Sequence, residues 1–284
     1  MPPTQPRTPW SVVASCALAA SFACTAQIAA QVPIRDNSFL IEEAYNQERG
    51  VVQHIGTFVK VRDVPGWGAA FTQEWPVPSE RHQLSYTVPF GRVATEFNDG
   101  HIGLGDIALN YRFQFPTDID RFAFAPRLSV LFPTGEHTTG HGAGGMGWQM
   151  NLPTSIALGQ TVVTHLNAGG TLTPSARLGP GSVETSTADY FLGGSLIWLV
   201  HPRFNFMVET LWESAEVATG FSSTDRVSTQ VVSPGFRVAF DFPSGLQIVP
   251  GVAVPIGVGS SSGDTGVFLY LSFEHPFRRT PAAP

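Results

Sequence analysis

The feature that most constrains this chain is a two-residue alternation that recurs along almost its whole length. From Ile107 to Phe115 one set of positions is Ile107, Leu109, Tyr111, Phe113 and Phe115; the set between them is Ala108, Asn110, Arg112 and Gln114, with Asp106 just ahead. A β-strand turns successive side chains to opposite faces, so this stretch has one apolar and one polar face. The same holds for Phe122–Phe132, Trp148–Leu158, Phe204–Trp212, Phe236–Phe242, Leu246–Val254 and Val267–Phe273. Gly and Pro punctuate the chain between such runs. Twelve segments can be marked out, near 51–61, 68–77, 82–90, 103–115, 121–133, 147–158, 162–172, 188–200, 203–214, 227–242, 245–256 and 265–277. The expected fold is all-β and antiparallel.

A soluble sandwich also alternates, but it turns its apolar face inward. Two observations favour the inverse. Large residues dominate the apolar face, whereas the other face mixes small residues with Arg, Glu, Asp and Asn. Aromatic residues also recur at segment ends (Trp67, Trp75, Tyr111, Phe115, Trp148, Trp198, Trp212 and Phe242), as they do in the aromatic girdles of outer-membrane barrels. The connections alternate too. Pro78–Glu80, Pro116–Asp118, Gly159-Gln160, His201-Pro202 and Pro243–Gly245 are tight, and 91–102, 134–146, 173–187, 215–226 and 257–264 are long. Short periplasmic turns and long outer loops are the expected pattern of a transmembrane up-and-down barrel of about twelve strands. In that register 62–67 is also external.

Composition supports export. Trp10–Ala30 is apolar, small and uncharged behind Arg7, which reads as a signal peptide over 1–30, cut after Ala26 or Ala30. It is short for a retained span of about 20 apolar residues. Cys16 and Cys24 both lie in it, so the mature chain would carry no disulfide, thiolate metal site or cysteine nucleophile. Ser21-Phe22-Ala23-Cys24 matches a lipoprotein box poorly. A net charge of -6 argues against nucleic acid as a partner. No later window holds about 18 consecutive apolar residues, so helices cannot carry it through a bilayer.

On this register Asp106, Asn110, Arg112, Arg127, His165, Asn167, Glu209, Glu213, Arg237, Asp241 and Glu274 point inward. An Arg facing lipid at the midplane would cost about 2–4 kcal/mol, so the lumen is where these groups belong. They either line an aqueous path or pair to close a narrow one. Residues 31–50 precede the barrel of 51–277. Asp36–Tyr45 is the one helix-like stretch; Phe39, Ile41 and Tyr45 would pack into the barrel mouth as a partial plug, or the run is a periplasmic lead-in. Residues 278–284 form a tail after Phe277, which occupies the terminal aromatic position of such barrels.

Three chemical motifs fail on spacing. His137 and His141 would need a helix to converge on a metal, and Gly140, Gly142, Gly144 and Gly145 oppose one. Gly142–Gly147 lacks the Lys-Ser/Thr of a phosphate loop. Some twelve-stranded barrels are lipases, but His82 and Ser85 fall on opposite strand faces, and no Ser–His pair of matched facing is apparent. The expectation is no enzyme, no metal and no cofactor.

The run Asn37–Glu48 resembles the start of a family of outer-membrane barrels named for the meta-pathway of phenol degradation and regarded as transporters. Gly103-Leu104-Gly105-Asp106-Ile107, Pro126–Ser129 and Pro133-Thr134-Gly135 resemble it as well. The resemblance covers most of the mature chain. It implies an outer-membrane barrel, a channel for small, aromatic or hydrophobic molecules, and no site residue. The expected partners are then outer-membrane lipid, a small-molecule solute and the barrel-assembly machinery. A structural or surface-interaction barrel with a closed lumen is the competing reading.

Overall fold

In the computed structural model, residues 38–95, 98–179, 181, 183–218 and 223–277 are described. The expected leader over 1–30, the start of the expected pre-barrel segment and the expected tail after Phe277 lie outside these. Twelve antiparallel strands close on themselves. They are β1 (Val51–Val61), β2 (Trp67–Pro76), β3 (His82–Thr95), β4 (Asn98–Leu104 and Ile107–Phe113), β5 (Phe122–Phe124 and Arg127–Phe132) and β6 (Gly147–Asn151 and Thr154–Ala157). The remainder are β7 (Val162–Ala176), β8 (Thr185–His201), β9 (Phe204–Ala218), β10 (Thr224–Val238 and Phe240–Asp241), β11 (Gln247–Ala253 and Ile256–Gly257) and β12 (Gly266–Pro276). Each strand pairs with its sequence neighbour, and β1 pairs with β12 from Val51↔Pro276 to Val61↔Gly266. That seam leaves no edge strand.

Proline sets several interruptions. Pro126, Pro153 and Pro255 each lie where β5, β6 and β11 break, because proline has no N–H for the ladder. The break in β4 falls at Gly105-Asp106, where β3 changes partner from one half of β4 to the other.

The barrel is inside-out relative to a soluble protein. Leu128 is 59 %, Leu192 58 % and Trp148 54 % exposed on the outer wall, whereas Arg112 and Arg237 on the inner wall are at most 1 % exposed. The sandwich alternative is thereby excluded. A belt this apolar would be an aggregation surface in water and is at home in lipid. No helix among the described residues is long and apolar enough to cross a membrane.

Tight connections gather at one end, here the turn end, where β1 begins and β12 finishes. The opposite, loop end differs from the sequence expectation. β3 and β4 run to Thr95 and from Asn98, β7 and β8 to Ala176 and from Thr185, and β9 and β10 to Ala218 and from Thr224. Most of the expected loop 91–102, and both flanks of 173–187 and 215–226, are therefore strand. In these hairpin arms small and polar residues replace the large apolar ones, so the alternation that marks a strand is lost. Residues 134–146 do form a loop, with one 3-10 turn at His137–Thr139.

Candidate functional site: the lumen and the segment inside it

Residues Ser38–Gln47 lie inside the barrel, and all but Leu40 are buried. They are not helical. The expected helix over 36–45 is corrected by its own surroundings: the backbone N–H groups that a helix would bond internally go to wall side chains. Leu40 and Ile41 donate to Glu209 Oε1 at 2.7 and 3.2 Å. Glu42 donates to Asn167 Oδ1 at 2.8 Å, and Asn167 Nδ2 returns a bond to the Glu42 carbonyl at 2.6 Å. Ala44 donates to Ser155 Oγ at 2.8 Å and Gln47 to Gln83 Oε1 at 2.7 Å. The segment thus crosses the bore from β3 to β9 on side chains of successive strands.

Its apolar residues have prepared seats. Phe39 stacks on Phe268 with ring centroids 5.7 Å apart and tilts against Tyr270 at 5.2 Å, within a buried cluster that includes Ile55, Ile197 and Met207. A Cβ on Gly251 would overlap the Phe39 ring, one on Gly235 would come within 2.9 Å of it, and one on Gly193 would overlap Ile41. These strand-interior glycines let another piece of chain approach closely. Tyr45 meets the His165 ring edge-on at 6.1 Å.

The charged wall residues also face the segment. Arg112 Nη1 lies 3.2 Å from Glu42 Oε1, and Arg127 Nε lies 3.0 Å from Glu42 Oε2. Arg112 further donates to Asn46 Oδ1 at 2.9 Å and to the carbonyls of Glu43 and Tyr45. Of the residues expected to point inward, Asn110, Arg112, Arg127, His165, Asn167 and Glu209 are buried around the segment or beside it. Arg237 and Glu274 are buried on the inner wall. Glu213 is half-buried further along β9.

Two of the expected residues lie elsewhere. Asp106 anchors the 134–146 loop: its carboxylate accepts from Gly135 N–H at 2.9 Å and Ala143 N–H at 2.8 Å. Asp241 sits half-exposed at the turn-end rim, paired with Arg203 at 3.1 Å. Both follow the alternation, but alternation fixes a face and not a height along the barrel. His141 is buried against Gly91 and Gly103, with Nδ1 2.8 Å from Thr139 Oγ1 and Nε2 3.3 Å from the Gly91 carbonyl.

The sequence yields no matched Ser–His pair, yet Ser155 Oγ and His165 Nδ1 stand 2.7 Å apart inside the lumen. They are directly opposed in the β6–β7 register, which the sequence does not reveal. The remaining segment contacts, at Gln83, Gln114 and Asn151, follow from the alternate polar positions of β3, of the run that ends β4, and of β6. The glycine seats were legible as well, as glycines inside otherwise regular strands.

No family model matches the chain, and no curated protein matches it. Solved structures do. A crystal structure of an outer-membrane channel from Pseudomonas putida F1 aligns with a TM-score of 0.61 over 82% of this chain and 97% of that one, at 15% identity. The shared fold is a closed antiparallel β-barrel. At this identity the likeness is one of fold. Two looser matches are a KdgM porin in complex with disordered oligogalacturonate (TM-score 0.49, 9% identity, 78% of this chain and 98% of that one) and a TodX monoaromatic hydrocarbon channel mutant (0.40, 10%, 81% and 91%). Neither is close enough to carry an argument.

Proposed function

We propose that this protein is an exported outer-membrane channel that passes small solutes passively, aromatic and other hydrophobic molecules among them, and that Ser38–Gln47 is its plug. The observation that carries the reading is the way the segment is held. No residue of it joins the sheet. Its backbone bonds to Glu209, Asn167, Ser155 and Gln83, and its carboxylate to Arg112 and Arg127, so it can leave without breaking the wall. A wall whose polar groups serve an inserted chain can serve water and solute when that chain moves. The motif resemblance to transporter barrels supports the hydrophobic part of the cargo range. The apolar patch around Phe268 and Tyr270 gives such a molecule a surface inside the bore. Outer-membrane lipid, reached by way of a cleaved leader over 1–30 and the barrel-assembly machinery, is the environment that the exposed belt requires. The 134–146 loop, tied down by Asp106, forms the cover at the loop end.

The closed structural barrel is the second reading, favoured by the complete engagement of Arg112 with the segment. Planar-bilayer recording separates the two. The full-length protein refolded in detergent should show discrete conductance steps, and loaded vesicles should leak small solutes. A barrel that never conducts, in vesicles that gain no permeability, refutes the channel.

A further inference from the structure

Arg112 of β4 and Arg127 of β5 are direct cross-strand partners on the inner wall, and both are almost completely buried. Like charges placed opposite each other on a sheet repel, and burial removes the water that would screen them. The arrangement calls for an anion between them. The anion present is the Glu42 carboxylate. Oε1 accepts from Arg112 Nη1 at 3.2 Å and Oε2 accepts from Asn151 Nδ2 at 2.7 Å, while Arg127 Nε forms an ion pair with Oε2 at 3.0 Å. It comes from the inserted segment and not from the wall.

The receiving side is oriented independently of that carboxylate. Arg127 Nη1 donates to Asn110 Oδ1 at 3.0 Å and Nη2 to Gln149 Oε1 at 2.8 Å, which fixes the guanidinium beside the Glu42 carboxylate. Asn151 Nδ2 is also within 3.2 Å of Asn167 Oδ1. Wall residues from four adjacent strands therefore hold a guanidinium and an amide in place for a two-oxygen anion. Charge-assisted bonds of this kind are the strong ones, and their spacing selects a planar carboxylate over a single-atom anion.

We infer that Arg112, Arg127 and Asn151 form a carboxylate-binding subsite in the lumen, that Glu42 is its built-in occupant, and that the solutes it takes are small organic carboxylates. A solute carboxylate competes with Glu42 for the two arginines and so loosens the segment that blocks its own path. The transport half of this inference rests on the channel reading above; the binding half does not.

The test has one arm for each half. For binding, Glu42→Ala is made in the full-length protein, and its thermal midpoint in detergent is followed against sodium acetate at constant ionic strength in sodium chloride. Acetate should raise the midpoint saturably by a few degrees. Acetamide, the neutral isostere, should not, and adding Arg127→Gln should abolish the acetate response. A Glu42→Ala midpoint indifferent to acetate overturns the subsite. For transport, the wild-type protein is placed in a bilayer with chloride on one side and acetate on the other. Acetate should permeate several-fold better than chloride although it is the larger ion, and Arg127→Gln should reverse the order. A conducting protein without that preference also overturns the subsite, and this arm decides the matter if Glu42→Ala does not fold. A protein that is stabilised by acetate but never conducts keeps the subsite and overturns the channel.

Discussion

Replacing Phe39 with Ala separates the hold on the inner segment from the integrity of the barrel. Phe39 is fully buried, stacked between Phe268 and Tyr270 and seated over Gly235 and Gly251, yet it belongs to no strand. Truncating a buried Phe to Ala costs about 3–5 kcal/mol. The lower end applies, because a lumen admits water into the vacated space more readily than a sealed core does. At about 1.4 kcal/mol per decade, a loss of about 3 kcal/mol shifts the segment's equilibrium between docked and released by about 100-fold. A cysteine at Ala44, a residue of the segment buried against Ala123 and Ala125, reports on release when Cys16 and Cys24 are replaced by serine. Its labelling by a polar maleimide should proceed about 100-fold faster in Phe39→Ala than in the parent, as expected when labelling samples the open population. The heat-dependent electrophoretic mobility of the barrel should not change. A labelling rate within about twofold of the parent, in a barrel that is still folded, would refute the view that the aromatic seat holds the segment.

Four further outcomes follow from the same structure. Gly251→Val places a side chain where the Phe39 ring lies, so it should release the segment as Phe39→Ala does and raise bilayer conductance; unchanged conductance and labelling would count against the glycine seat. Asp106→Asn weakens charge-assisted bonds from Gly135 and Ala143, each worth about 1.5–3 kcal/mol, and should expose 134–146 to proteolysis while the strands stay intact. Leu269→Arg puts a charge on the outer wall and should destabilise the barrel in vesicles by about 2–4 kcal/mol if that position lies at mid-depth, read from urea titration. Hydrogen bonds from Ser175, then Arg177, hold the Glu184 carboxyl below its ordinary range. A lowered carboxylate pKa contributes stability above the unfolded value and loses it as pH falls through the folded one. Amide exchange at the β7–β8 tip should therefore be pH-independent around neutrality, after correction for intrinsic rates, and accelerate only on strong acidification.

The wall was legible in the sequence because lipid imposes a strict rule on it. A residue such as Leu128 or Arg127 has one permitted side, so the alternation reports facing, and twelve runs report twelve strands. Towards the loop end that pattern lapses: Thr173, Ser175, Thr187 and Ser228 are neither large and apolar nor charged, so strand looks like loop. Register is a different kind of information. Ser155 and His165 lie in separate runs, and only the pairing of β6 with β7 makes them neighbours. The segment was half legible. Phe39, Ile41 and Tyr45 stand out as apolar residues ahead of a barrel, but their spacing suggests a helix. The extended course is dictated by acceptors on the wall, at Glu209, Asn167 and Ser155, which no local pattern in 38–47 encodes.

Only Glu48, Arg49 and Gly50 separate the buried Gln47 from the first residue of β1. This link is itself pinned: Val51 N–H donates to the Glu48 carbonyl, and Phe277 N–H donates to the Gly50 carbonyl. Three residues reach about 10 Å when fully extended. A released segment therefore stays at the turn-end mouth, on a leash anchored in the seam that closes the cylinder. Its local concentration at its own seats remains in the millimolar range or above. Rebinding is then a unimolecular event, independent of protein concentration, and competes with any solute on those terms. Current through such a pore should arrive as short bursts whose mean duration lengthens when extra glycine and serine residues are inserted between Gln47 and Val51.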